Sequence, residues 1–157
     1  MTYQLAPRIA LNVLHLSGLS GAVTDGNSCD FSTSANLVGT PSSTYNSSNG
    51  QITIPNKPCI ALGSINFGTS SYQSALFVDV QWYDVNAAQF VGTKGRLWGY
   101  RPDYYYASYT LTCDEEAKAI VQNTVIELRI TGHYGSGMTL DSTSQSTHNV
   151  NSKSRAI

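Results

Sequence analysis

The sequence predicts an all-β sandwich of eight to ten strands, and three observations carry that expectation. Helical periodicity is nearly absent over the 157 residues. Apolar and polar residues instead alternate in short runs, the period of a half-buried strand. Gly, Pro, Asn and Ser punctuate these runs at intervals that suit turns.

In RIALNVLHL, Ile9, Leu11 and Val13 alternate with Ala10, Asn12 and Leu14, a first strand with Pro7 at its start. The segment from 17 to 50 is rich in Gly, Ser, Asn, Thr and Pro and reads as long surface loops with short strands near 22–24 and 36–38. From Gln51 the signal strengthens through QITIP, CIALGSINF and SALFVDVQWYDV, β-branched or aromatic runs bounded by turn residues. In the last of these Leu76, Val78, Val80 and Trp82 share one face, and Phe77, Asp79, Gln81 and Tyr83 share the other; one face belongs to a core and the other to water or a partner. Later strands are expected at 89–91, 96–99, 105–113 and 124–132, with a last one inside 148–157. Residues 114–123, DEEAKAIVQN, hold good helix formers with acids near the start, so a single helical turn and a charged loop compete there. The polar tail DSTSQSTHNVNSKS is either a β connection or an extended arm.

Length supports one domain over 1–157, with an N-terminal strand or arm over 1–20 and a polar C-terminal segment over 141–157. Only 12% of residues are charged, against ~25% in an average globular protein, while Ser, Thr and Asn together number 46. With 9 Lys and Arg against 10 Asp and Glu, the net charge of -1 lacks the basic excess that nucleic acid or an anionic membrane surface requires. No stretch reaches the ~18–20 uninterrupted apolar residues of a bilayer span. The N-terminal apolar stretch is broken by Pro7, Arg8, Asn12 and His15 and does not read as a signal peptide. Cys29, Cys59 and Cys113 show no metal-ligand spacing and are expected as reduced, partly buried thiols.

No catalytic set can be assembled. SGLSG and GSG lack the spacing of a nucleophile elbow, no phosphate-binding glycine motif occurs, and His15, His133 and His148 have no acid at a fixed offset. No cofactor is expected. The DGNSCD stretch has oxygen donors at close spacing, but its glycine is second and Asn36 stands where a calcium loop needs Glu. Asp103, Asp114, Glu115 and Glu116 are either solvated turn acids or, converging across strands, a calcium site.

The stretch TYNSSNGQITIPNKPCIALGSINF resembles the signature of trimeric jelly rolls of the C1q and tumour-necrosis-factor type, in which a YN…G.I.IP strand leads by a turn to an apolar inner strand. Tyr45, Asn46, Gly50, Ile52, Ile54 and Pro55 carry the first part, and Ile60, Leu62, Ile65 and Phe67 the second. YTLTC and NTVIELRITG resemble the family's late strand pair through Tyr109, Leu111 and Cys113, then Val125, Glu127, Leu128 and Ile130. The likeness runs from Tyr45 to Gly132. It departs at Lys57-Pro58-Cys59, where the family usually has Gly-x-Tyr, and no collagen-like Gly-X-Y run precedes Tyr45. The resemblance implies a jelly-roll β-sandwich that assembles as a homotrimer, closer to viral and phage decoration proteins or fibre knobs than to animal hormones.

Residues add one independent argument for assembly. GYRPDYYYASY packs Tyr100, Tyr104, Tyr105, Tyr106 and Tyr109 into ten residues beside Trp98, and in a strand Tyr104 and Tyr106 face opposite to Tyr105 and Tyr109. The second aromatic face is a trimer interface, a recognition patch, or ordinary core with a few exposed tyrosines. Two functions follow. The first is a capsid decoration or cement protein of a virion, made in the host cytoplasm, docking on the major capsid protein through the strand of Ile9, Leu11 and Val13 or through the polar tail. The second is a receptor-binding head whose loops around Trp98, Tyr100 and Tyr104, with Arg96, Arg101 and Asp103 nearby, hold host surface glycan. Too few residues precede Tyr45 for a fibre shaft, which favours decoration. A small hydrolase is the remote third class.

Overall fold

Strand pairing realises the alternation almost run for run. The structure is a computed structural model that describes residues 10–38, 43–63, 65–69, 73–101, 109–111, 115–135, 137–140 and 148–154. Among these it has thirteen strands: β1 Ala10–Ser17, β2 Thr33–Val38, β3 Thr44–Asn46, β4 Gln51–Ile54, β5 Cys59–Gly63, β6 Phe67–Thr69, β7 Gln73–Asp84, β8 Gln89–Arg101, β9 Tyr109–Leu111, β10 Ala117–Val121, β11 Thr124–Tyr134, β12 Met138–Leu140 and β13 His148–Ser154. Ten form one curled antiparallel sheet in the order β2-β1-β13-β5-β10-β8-β7-β11-β4-β3, and β12-β6-β9 form a small sheet apart. The large sheet folds on itself where Lys118 of β10 pairs with Thr93 of β8. Its two halves, an inner β2-β1-β13-β5-β10 and an outer β8-β7-β11-β4-β3, then face each other as the jelly-roll sandwich.

The core is what the period-2 pattern selects. Leu14 and Leu16 of β1, Cys59 and Ala61 of β5, and Ala117, Ala119 and Val121 of β10 meet Leu76, Val78, Val80 and Trp82 of β7, Leu97 of β8 and Ile126, Leu128 and Ile130 of β11. Trp82 spans the gap between the layers. Its Nε1–H donates to the Ala117 carbonyl at 3.3 Å, and a Cβ on Gly63 of β5 would come within 3.2 Å of its ring and 2.9 Å of Leu128. A small residue on β5 thus makes room for the large one on β7.

Three segments differ from their sequence reading. Residues 117–121 form a strand, and neither a helical turn nor a loop: Ala117, Ala119 and Val121 point inward, Lys118 and Ile120 outward, and a five-pair ladder with β5 outweighs the helix propensity of Glu, Ala and Lys. The two strands expected at 89–91 and 96–99 are one, β8, continuous past Gly92 at φ 72°. The loop between β1 and β2 is no surface decoration. It buries Leu19, Val23, Cys29 and Phe31 and runs along β11 beyond the end of β4, with Cys29 N–H donating to Leu128 O at 2.7 Å and Gly26 N–H to Ile130 O at 2.8 Å. It occupies backbone groups that a bare sheet edge would expose.

Tyr45 anchors that loop. Its hydroxyl accepts from Phe31 N–H at 2.6 Å and donates to Phe31 O at 2.8 Å, and the two rings meet edge to face. Burial, with the Asp30 charge behind it, pushes the Cys29 thiol up to about 12. Burial also raises Tyr45 to about 12, against the hydrogen bonding to Phe31 that lowers it. Burial raises Cys59 as well. These folded-state values lie above the unfolded ones, so the stability they confer is complete below the ordinary thiol value of 9.0 and is lost as pH climbs towards 12. Cys29 alone accounts for about 4 kcal/mol at the top of that window. Urea midpoints are expected to hold steady to about pH 8 and fall steeply from 9 to 11, with a shallower fall in Cys29→Ala; equal slopes in the two proteins would contradict this.

Candidate functional site

Two surfaces remain once the core is closed, one on the outside of each half-sheet. On the outer half, the wet face of β7 lies between those of β8 and β11. The register sets Phe77 opposite Trp98 on one side and Tyr134 on the other, with Asp79 opposite Arg96 in the next row. Arg96 donates to both Asp79 carboxylate oxygens, Nε to Oδ1 at 2.6 Å and Nη2 to Oδ2 at 2.7 Å, a bidentate pair. Donation to the Asp79 carboxylate and then its charge raise the pKa of the guanidinium further. Arg96 also lies 4.8 Å over the Phe77 ring, and Phe77 stacks on Tyr134 at 6.1 Å and 16°. Backbone hydrogen bonds in both directions between Glu115 and Arg96 clip the chain before β10 onto β8.

Together Asp79, Lys94, Arg96, Trp98 and Glu115 line an open cleft of about 460 Å³, within the usual size of small-ligand sites. Trp98 is 61% exposed, and Tyr134 is 59% exposed. Asp79 by contrast is buried. The cleft therefore has a buried carboxylate at its floor and an exposed indole at its rim.

On the inner half, the face turned away from the core carries Ile120 of β10, Ile60 and Leu62 of β5 and Lys118. Ile120 pairs with Ile60 and Lys118 with Leu62. Ile60 and Leu62 are half-buried, and Ile120, at 78%, is more exposed than Trp98 or Tyr134. Asn151 and Asn149 of β13 pair with Ile60 and Leu62, and the row continues to Val13 and His15 of β1. An isoleucine this bare beside Ile60 and Leu62 marks a surface suited to a partner.

Of the residues singled out in the sequence, Trp98 lies at the cleft. Tyr100 continues β8 and Tyr109 opens β9. Tyr104, Tyr105 and Tyr106 lie outside the described residues, as do Ile9, Asp103, Cys113 and Asp114. Leu11 and Val13 stand in β1, where Val13 is laddered to both β13 and β2 and Leu11 to β13. Asp25 pairs with His133 at 2.5 Å, and Asp30 accepts from Ser28 Oγ at 2.6 Å. Sequence reasoning missed Asp79 and Lys94 as cleft residues and Ile120 as a surface one. Asp79 had a usable signal, its place on the wet face of SALFVDVQWYDV; Ile120 was hidden by the helix-like composition around it.

No family model and no curated protein matches the sequence. Among solved structures, the Eiger TNF of S. frugiperda is similar in fold, with a TM-score of 0.62 and 11% identity over 95% of this chain and 95% of that one. Murine APRIL gives a TM-score of 0.49 at 9% identity, over 90% of this chain and 98% of its own. The fold is a TNF-like jelly roll, as the Tyr45–Gly132 likeness implies.

Proposed function

We propose that the chain is a non-catalytic structural protein that assembles as a homotrimer and decorates a viral capsid, docking on the major capsid protein. The single observation that carries self-association is Ile120, 78% exposed beside Ile60 and Leu62 on the face of the inner half-sheet opposite the core. Three copies packed face to face around an axis bury this row, which is how closed cyclic oligomers hide a patch present on every subunit. The trimeric habit of the family whose signature the sequence resembles supports the same reading. The sparse charge suits capsid contacts, where each ion would have to lose water. Docking is assigned to the N-terminal strand, where β2 pairs only from Val13 onward, and to the loops, since the His148–Ser154 part of the polar tail is laddered on both sides as β13. Incubating the protein with empty capsids and separately with host cells, then measuring what stays in solution, tests this: depletion by capsids is expected, and depletion by neither removes the reading.

A second reading, a receptor-binding head that holds host glycan, is favoured by one observation, the exposed Trp98 beside the Arg96–Asp79 pair. In the same assay it is distinguished by depletion on cells and not on capsids.

A further inference from the structure

We propose that the cleft between Trp98 and the Arg96–Asp79 pair binds an uncharged saccharide. The assignment rests on the receptor-binding reading and gives it a place on the fold and a ligand charge. Four observations lead to it.

The first is the lining. Two cations, Lys94 and Arg96, are matched by two acids, Asp79 and Glu115. A charged ligand gains little from a balanced field, whereas a polyol, each hydroxyl both donor and acceptor, finds both kinds of partner. The second is the floor. Asp79 is buried and held at both oxygens by one guanidinium, so acceptor and donor stand side by side in fixed positions. Adjacent hydroxyls on a sugar ring present the matching pair, and fixed partners cost little ordering on binding.

The third is Trp98. An indole left 61% exposed at the edge of a polar cleft offers a flat apolar surface with a negative face, suited to the weakly positive C–H face of a pyranose. The fourth is the extension of the aromatic row. Register places Trp98, Phe77 and Tyr134 across three neighbouring strands, roughly 10 Å at ~4.8 Å per step, room for two sugar rings. The Arg96–Asp79 pair lies in the next row, beside the Trp98 end of this aromatic row.

The test is fluorescence titration of the purified full chain with glucose-, galactose- and mannose-based neutral tetrasaccharides, and in parallel with sialyllactose. Trp82 is sealed in the core, so a change on binding reports Trp98. At least one neutral tetrasaccharide is expected to saturate the signal below about 10 mM, with sialyllactose weaker. Calorimetry on Trp98→Ala is expected to show at least about a tenfold loss, and Trp98→Tyr to keep affinity within about threefold. No binding by any neutral probe, preference for sialyllactose, or unchanged binding by Trp98→Ala would overturn the assignment. So would a change in the oligomer mass of Trp98→Ala, which would make the cleft a subunit contact. If host cells still deplete Trp98→Ala as they do the wild type, the receptor-binding reading stands and this site alone falls.

Discussion

Trp82→Ala is expected to lower the stability of the chain by about 3–5 kcal/mol, because it removes the largest fully buried side chain among the described residues. The loss reaches both layers. Across the sheet Trp82 pairs with Val91 of β8 and Leu128 of β11, and across the gap it meets Gly63 and the Ala117 carbonyl. Gly63 has no side chain with which to fill the void, and the Ala117 carbonyl loses its indole donor, a further cost of about 1 kcal/mol. Against a total stability of 5–15 kcal/mol for domains of this kind, the variant is at best marginal at 37 °C. Thermal unfolding is expected to begin roughly 10–20 °C lower. A shift of only a few degrees would mean that the layers are not held together at Trp82.

Gly92→Val carries an effect as large from a different cause. Gly92 sits at φ 72°, where β-branched residues are strained, and a Cβ there would stand 1.9 Å from the Lys118 carbonyl oxygen and 2.8 Å from the Ala119 Cα. Those atoms cannot withdraw. Lys118 is held by Thr93 on one side and Leu62 on the other, and the Lys118–Thr93 pair, with the Arg96–Glu115 bridge beside it, joins the two half-sheets. The expected cost exceeds about 4 kcal/mol, at the extreme of single substitutions. Gly132→Ala is the control: nothing lies within 4 Å of its Cβ position, so its unfolding midpoint is expected to move by less than about 0.5 kcal/mol. Equal behaviour of the two variants would show that β8 and β10 do not pack as described.

Much of this architecture was legible because burial in a two-layer sandwich writes a period of two directly into the chain. Ile52 and Ile54, the Leu76–Trp82 set and Ile126, Leu128 and Ile130 all follow it. The strand Ala117–Val121 was not legible, since Ala and Lys are good helix formers and only pairing with β5 decides otherwise. That misreading hid the apolar face as well, because Ile120 is outward only if its segment is extended. Leu19, Val23, Cys29 and Phe31 are scattered among Gly, Ser and Asn without period, as buried loop residues are, and their inward placement comes from the hydrogen bonds to β11. Trp98 and Arg96 could be named from sequence, yet their partner Asp79 is 17 residues away and is brought opposite Arg96 only by the β7–β8 register.

The Ile120 face is either shared among copies of the chain or bare to water. Light scattering of the purified protein, beside the Ile120→Lys variant, decides this directly. The expected result is three times 16.9 kDa for the wild type and 16.9 kDa for the variant, with unfolding midpoints that agree at high dilution because the substituted side chain lies outside the core. A wild-type mass of 16.9 kDa would contradict it, as would a variant that stays trimeric with lysine in that row.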